Sequence, residues 1–205
     1  MLSLIRPAFV LLVLFTLLTG LAYPLAITGL AQIAMPGAAN GSLVLQGGAV
    51  VGSSLIGQNF ASPKYFHGRP SATQAQDPAH PDDSSKTVDA PYNAANSAGS
   101  NLGPTSRKLV DRVKADVAAW KGGGLVPADA VTTSASGLDP HISPANALAQ
   151  VDAVAVARGI APDKLRALVE ARIEGRALGL VGEPRVNVLA LNRALDAAAA
   201  GVTMR

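Results

Sequence analysis

The stretch PAFVLLVLFTLLTGLAYPLAITGLAQIAM, residues 7–35, decides how this chain is organised. No charged residue occurs between Arg6 and Lys64, although 15% of the 205 residues are charged. About 20 apolar residues span the hydrocarbon core of a bilayer as a helix. The stretch therefore predicts a transmembrane helix over residues 7–34, with Pro7 in its first turn and a kink or boundary at Pro24.

The same residues fit a second interpretation, a signal peptide that is cleaved. Arg6 would supply the charged start, residues 8–18 the apolar core, and residues 20–22 (GLA) a small-residue cleavage site. The apolar run continues well beyond Ala22, and this length favours an uncleaved anchor.

Orientation follows from the distribution of positive charge around the helix. Arg6 flanks one end, and no basic residue follows the other end until Lys64. The positive-inside rule then places residues 1–6 in the cytoplasm and residues 35–205 outside, in the periplasm of a Gram-negative cell.

One face of the predicted helix carries small or kinking residues at four-residue intervals. Small residues let a second membrane helix approach closely, so this face is a candidate docking surface for a partner. The alternative is that glycine and threonine are simply common in membrane helices. The four residues are Thr16, Gly20, Pro24 and Thr28.

After residue 41 the pattern indicates strands first and then helices, which is typical of an α+β domain. Residues 43–45 and 49–51 flank a glycine-bearing hairpin connection, and residues 131–133 indicate a further short strand. Four helices are expected: 105–121, 144–158, 162–174 and 188–199, with glycines or caps at their ends. The inward residues are expected to be Leu109, Val113, Val117 and Trp120 in the first helix and Leu165, Leu168, Val169 and Ile173 in the third. The predicted fold is a single N-terminal transmembrane helix followed by one extracytoplasmic α+β domain, residues 35–205.

Sequence motifs for catalysis are missing from the chain. There is no cysteine, no phosphate-binding loop of the Walker type and no Gly-x-Ser-x-Gly elbow. His67, His80 and His141 are spaced unlike any local metal motif. We therefore predict no catalytic residue and no metal ligand, and the small net charge of +3 gives little support for nucleic-acid binding.

Residues 62–101 show no periodicity, and residues 77–83 (DPAHPDD) indicate an exposed loop. Between residues 73 and 90 four aspartates face a single lysine, Lys86. This acidic balance could attract cations, or the segment could be an ordinary solvated loop.

Four polar turns stand out in the rest of the chain, and Asn, Ser and Gly hold such turns through hydrogen bonds from side chain to backbone. The turns either hold a loop-rich domain together through these hydrogen bonds or form a docking surface for another protein. The turns are residues 65–71 (YFHGRPS), 92–97 (YNAANS), 100–105 (SNLGPT) and 134–144 (SASGLDPHISP).

These segments resemble the KdpC family, the C subunit of the Kdp-type potassium-transporting P-type ATPase. The resemblance covers nearly the whole chain, with its motifs in the same order. The motifs are TGLAYPLAITGLAQ at 19–32, GSSLIGQNF at 52–60, YFHGRPSA at 65–72, YNAANSAGSNLGPTS at 92–106, VPADAVTTSASGLDPHISPANALAQ at 126–150 and GEPRVNVLALNRALD at 182–196.

The resemblance implies a single uncleaved membrane helix and a place in a bacterial inner-membrane potassium pump. Its implied partners are a channel-like potassium-binding subunit, a P-type ATPase subunit and a small membrane peptide. The implied role is that of a catalytic chaperone, which raises the affinity of the ATPase subunit for ATP. ATP and potassium are used by the complex, and no cofactor is expected to be bound by this chain alone.

Family resemblance also suggests a nucleotide-binding signature, for which the matching residues here are Ser134, Ser136, Gly137 and Gln150. Such binding conflicts with the predicted topology, because ATP is cytoplasmic and only residues 1–6 are expected there. An indirect effect on ATP affinity is therefore favoured. A direct ATP-binding regulatory subunit and an anchored periplasmic enzyme remain as alternatives.

Overall fold

A computed structural model describes residues 2–202 of the chain, with side-chain environments for residues 3–198. The chain divides into two compact units, the first ending at Ser53 and the second beginning at Ser54. The first contains a long apolar helix and a hairpin, and the second mixes helices with short strands. The predicted class, one N-terminal apolar helix followed by an α+β region, is confirmed.

The apolar segment is helical in three successive parts: α1 (Leu2–Leu17), a π-helical turn (Leu18–Ala22) and α2 (Tyr23–Ala34). From Ser3 to Ala34 its length and its mean hydropathy of 2.3 suffice to cross a membrane. Pro7 lies inside α1 and not in its first turn, which corrects the predicted position. The residues before Pro7 are mostly apolar, and they extend the helix by more than a turn.

The expected irregularity at Pro24 is confirmed as a boundary between helical segments. Tyr23 donates its backbone N–H to the carbonyl oxygen of Leu18, five residues earlier. Pro24 has no N–H and cannot continue the α-helical ladder from the preceding turn. It becomes instead the second residue of α2, a position that proline tolerates.

Polar side chains fix the chain where it leaves the long helix. A short helix α3 (Pro36–Ala39) follows α2, and the side-chain amides of Gln32 and Asn40 exchange two hydrogen bonds of 3.2 and 3.0 Å. The predicted hairpin is present, with β1 (Leu43–Gln46) antiparallel to β2 (Ala49–Ser53). Gly47 and Gly48 form its turn with φ of 58° and 83°, which glycine adopts without strain.

The second unit begins with extended segments and one small hairpin. Strands β3 (Gln74–Gln76) and β4 (Thr87–Asp89) pair antiparallel and enclose an exposed turn over residues 77–86. Three-residue strands are too short to show an alternating pattern, which is why the sequence indicated only a loop here.

Helices and a three-stranded antiparallel sheet make up the rest of the second unit. The sheet has the order β5 (His141–Ile142), β7 (Arg185–Asn187), β6 (Ile173–Glu174). The remaining helices are α4 (Arg107–Ala119), α5 (Ala128–Val131), α6 (Pro144–Ala149), α7 (Val151–Arg158), α8 (Pro162–Glu170) and α9 (Val188–Val202).

The hydrophobic core lies among α6 to α9, Phe66 and the sheet. Its fully buried members include Phe66, Val169, Val186 and Leu191, each 0% exposed. The predicted inward positions Leu165 and Val169 of α8 are confirmed as core residues, and Leu168 is partly buried against them.

Two predicted elements are wrong in part. Ile173 is not on the helix but in β6, paired with Val186 and 37% exposed, because α8 ends at Glu170. Residues 131–133 form no strand: Val131 ends α5, and the Thr132 hydroxyl closes that helix by donating to the Ala128 carbonyl at 2.7 Å.

Helix α4 is present, but none of its residues is buried, and Val117 remains 44% exposed. The predicted inward face of that helix is therefore only partly covered. Leu109 and Val113 on that face are partly buried, so the face is covered over only part of its length.

The predicted helix 144–158 is two helices, α6 and α7, which meet at Gln150. Its expected ends are confirmed. The Ser143 hydroxyl accepts the N–H of Asn146 at the start, and Gly159 ends it with φ of 66°.

Candidate functional site

Two buried side-chain amides hold the segment that carries Phe66 and His67. Asn192 of α9, 1% exposed, accepts the backbone N–H of Phe66 and donates to its carbonyl, both at 2.9 Å. Gln150, 6% exposed, pairs in the same way with His67, at 2.8 and 3.2 Å. Each amide bonds both the backbone N–H and the carbonyl of one residue, as a neighbouring β-strand would. These bonds fix the first polar turn, residues 65–71, to the helical core.

Arg69 joins that turn to residues 132–139. Its guanidinium lies 3.1 Å from the Asp139 carboxylate, and it also donates to the carbonyls of Thr132 and Thr133. Burial disfavours the ionised form of Asp139, but hydrogen bonds from His141 and Arg69 outweigh burial and lower the pKa of this carboxyl. Asp139 is therefore an anionic anchor for two chain segments.

Tyr92 fills the space between these turns. Its hydroxyl donates to the Arg69 carbonyl at 2.8 Å, and its ring lies directly against Gly57 and Gly68. A Cβ on Gly57 would lie 2.5 Å from the Tyr92 ring and 2.7 Å from the Asp139 carbonyl, so only glycine fits there. Burial raises the pKa of Tyr92 to about 12, with a further contribution from the Asp139 charge.

Hydroxyl groups complete the connections among the turns. Ser71 donates to the Gly137 carbonyl at 2.8 Å, and Thr73 donates to the Ala90 carbonyl at 2.6 Å. Ser97 donates to the Ser136 carbonyl at 3.0 Å. Three of the four polar turns, residues 65–71, 92–97 and 134–144, therefore lie together as one hydrogen-bonded assembly, here called the polar turn cluster. The remaining turn, residues 100–105, adjoins it through a 3.2 Å hydrogen bond from the Thr133 hydroxyl to the Ser100 hydroxyl.

The four residues suggested for nucleotide binding are not all in one place. Ser134, Ser136 and Gly137 are neighbours, and the two serines line a shallow cleft of about 610 Å³ beside Arg69. Gln150 lines a different cavity, of about 310 Å³, with Asp116 and Trp120. The amide of Gln150 is fully occupied by His67 and Asn146.

The histidines take part in local structure. The ring of His80 contacts Asp77 at 2.9 Å in the exposed turn, and this hydrogen bond, followed by one from the backbone N–H of Ala79, lowers the pKa of Asp77. His141 lies 3.7 Å from Asp139 and 3.8 Å from Glu174. Among residues 2–202 no group of three or more histidine, aspartate or glutamate side chains is arranged to hold a metal ion.

The candidate docking residues of the long helix, Thr16, Gly20, Pro24 and Thr28, are all exposed within this chain. Residues four apart diverge by about 40° per step around an α-helix, or about 120° from Thr16 to Thr28. The π-helical turn adds roughly one residue to one turn, about 100°, and so offsets most of that divergence. The irregularity before Pro24 thus aligns the four residues along the helix axis.

Several residues that build the cluster were not singled out individually from the sequence: Arg69, Tyr92, Asp139 and Asn192. Asn192 had a recognisable signal, because it is a polar residue between Leu191 and Leu195 on the apolar face of α9. The roles of Arg69 and Asp139, 70 positions apart, had no local signal.

Comparison with known proteins agrees with the resemblance seen in the sequence. A family model described as "KdpC: K+-transporting ATPase, c chain" matches residues 5–197. A protein of Rhodopseudomonas palustris (strain BisB18), named Potassium-transporting ATPase KdpC subunit, is 64% identical over 201 residues, covering 97% of this chain and 100% of that protein.

Two further relatives carry the same name. The protein of Methylorubrum extorquens is 62% identical over 95% of this chain and 97% of its own length. That of Bradyrhizobium diazoefficiens is 61% identical over 98% of this chain and 100% of its own length.

Proposed function

The chain belongs to the KdpC family, the c chain of K⁺-transporting ATPases, and from that premise we propose how it serves an ATP-driven potassium uptake pump. It is a non-catalytic accessory subunit that assists assembly and raises the ATP affinity of the ATPase subunit through protein contacts. The observation that carries this proposal is the polar turn cluster, whose polar groups are engaged in holding its own shape. A surface held in this way is suited to docking, because it is already ordered before a partner binds.

The proposed topology has residues 1–6 in the cytoplasm, residues 7–34 in the bacterial inner membrane and residues 35–205 in the periplasm. Its support is the apolar helix Ser3–Ala34 together with Arg6 at its N-terminal end. An effect on ATP binding then has to cross the membrane through partner subunits.

The proposed membrane contact uses the aligned face of the long helix. Gly20 has no atom within 4 Å of the position that a Cβ would take, so a partner helix could approach it closely. The partners in question are the channel-like potassium-binding subunit, the P-type ATPase subunit and the small membrane peptide.

The proposed contact outside the membrane is the polar turn cluster, which caps the potassium entrance of the channel-like subunit. Its rigidity supports this role, since a pre-organised surface loses little entropy on binding. The acidic hairpin, residues 73–90, is less suited to cation capture, because Asp77 and Asp83 are already hydrogen-bonded within their own turns.

Direct ATP binding through Ser134, Ser136, Gly137 and Gln150 is the competing proposal. The engaged amide of Gln150 and its separation from the serine cleft favour the indirect mechanism.

Equilibrium binding of radiolabelled ATP to the purified full chain in detergent distinguishes direct ATP binding from the indirect mechanism. We expect no saturable binding by the chain alone, and a lower KM for ATP when the chain is added to a pump lacking it. Saturable binding that is lost in the variant Ser136→Ala would contradict the indirect mechanism.

A further inference from the structure

The connection between β6 and β7 carries apolar side chains far into solvent. Every residue from 171 to 185 is exposed. Leu178, Leu180 and Val181 at its tip are 97%, 82% and 68% exposed. Other strongly exposed aliphatic residues of the second unit, such as Leu125 and Val156, stand singly. We call Leu178, Leu180 and Val181 the aliphatic tip.

The aliphatic tip belongs to an ordered hairpin turn. Ala177 and Val181 exchange backbone hydrogen bonds of 2.9 and 3.0 Å, and Leu180 donates to the Ala177 carbonyl at 3.1 Å. Leu178 and Gly179 occupy the two central positions with φ of 53° and 73°. Such positions favour glycine and asparagine, so a leucine there is held in a strained conformation with its side chain in water.

Strain at an exposed apolar residue often marks a functional site, because it is unfavourable for the free molecule. An exposed apolar patch in turn commonly marks an interaction surface. The two features coincide at Leu178. A rigid turn that already presents its side chains binds at a lower entropic cost than a loop that must be ordered.

Four of the five charged residues between 171 and 185 form two ion pairs at the base of this hairpin. Arg176 donates to both carboxylate oxygens of Glu183, at 3.1 and 3.0 Å, and Arg185 donates to Glu174 at 3.0 Å. Residues 177–182 carry no charge. Arg172 leaves residues 171–185 with a net charge of only +1. The hairpin therefore presents an uncharged tip without the cluster of basic residues that binds an anionic lipid surface, and it complements an apolar pocket in a protein better.

We propose that the aliphatic tip inserts into an apolar pocket on the outer surface of another subunit of the pump. This inference rests on the proposed function, since it requires that the chain assemble with partners on the outer side of the membrane. Leu178 and Leu180 are the anchors, and Gly179 and Gly182 give the turn its shape.

The test compares assembly of the full pump containing wild-type chain with assembly containing Leu178→Asn/Leu180→Asn. Asparagine suits the positive φ at position 178, so the variant keeps the turn while losing its apolar surface. We expect recovery of partner subunits with the tagged chain to fall by about tenfold or more, as is typical when a buried leucine anchor is removed. The matched control Leu125→Asn, at a residue 95% exposed, should assemble as wild type.

A photo-crosslinker in place of Leu180, in the assembled pump in membranes, identifies what the tip touches. A crosslink to a partner polypeptide supports the proposal, whereas a crosslink to lipid alone overturns it. Failure of the wild-type chain itself to recover partners would overturn the proposed function. Normal recovery of both wild type and the double variant would overturn only the inference about the tip.

Discussion

Asn192 offers the sharpest test of how the polar turn cluster is held to the core. Replacing it with leucine keeps nearly the same volume but removes both hydrogen bonds to Phe66, whose backbone lies in a buried environment. An unsatisfied buried backbone group costs about 1–3 kcal/mol. The two groups of Phe66 together then cost about 2–6 kcal/mol, a large part of a typical stability of about 5–15 kcal/mol.

The assay is urea unfolding of the full chain in detergent, followed by the fluorescence of Trp120, the only tryptophan. We expect Asn192→Leu and Asn192→Ala to lower the free energy of unfolding by similar amounts, because lost hydrogen bonds dominate. The control is Asn96→Ala, which removes one exposed hydrogen bond to Gln74 and should change stability by less than about 1 kcal/mol. An Asn192→Leu variant within about 0.5 kcal/mol of wild type would refute the reasoning.

Three further outcomes are expected from the geometry. The pKa of Asp139 is lower in the folded chain than in the unfolded chain, where it is about 3.9. The ionised carboxylate therefore stabilises the fold above about pH 3.9, and this stabilisation is lost as the pH falls through the pKa of the folded chain. Urea titrations between about pH 2 and 6 should show this acid loss, and it should be smaller in Asp139→Asn. Gly57→Ala should destabilise the chain by about 1–3 kcal/mol, because the new methyl group meets Tyr92 and the backbone; thermal unfolding at wild-type Tm would refute this. Gly20→Leu should weaken co-purification of the pump subunits while Gly29→Leu, also in open space, leaves it intact; equal recovery of both variants would contradict the docking face.

Local signals in the sequence were sufficient for much of the fold. The apolar run of the long helix, the glycine pair of the first hairpin and the Ser143 cap each depend on neighbouring residues, and each is present. The predictions for Ile173 and for residues 131–133 are wrong for different reasons. Ile173 is in a strand because it pairs with Val186, which is distant in sequence. Residues 131–133 end α5, where the Thr132 hydroxyl bonds to the Ala128 carbonyl.

The candidate site was harder to predict from the sequence than the fold was. The polar turns were visible as composition, but the hydrogen bonds that join them to one another and to the core connect positions 66 and 126 residues apart. The exposure of the aliphatic tip could not be predicted from the sequence either. Its pattern of alternating leucine and glycine does not tell whether the side chains point into a core or into solvent, and only the packing decides.

Protease accessibility in intact spheroplasts tests the central claim, an accessory subunit that acts from outside the membrane. The chain with a C-terminal epitope is exposed to external protease, and the amount of full-length product is followed by immunoblot. The account predicts digestion of the large C-terminal part while a cytoplasmic marker protein stays intact. Protection of that part until the membrane is permeabilised would contradict the proposed topology and restore direct contact with ATP as an explanation.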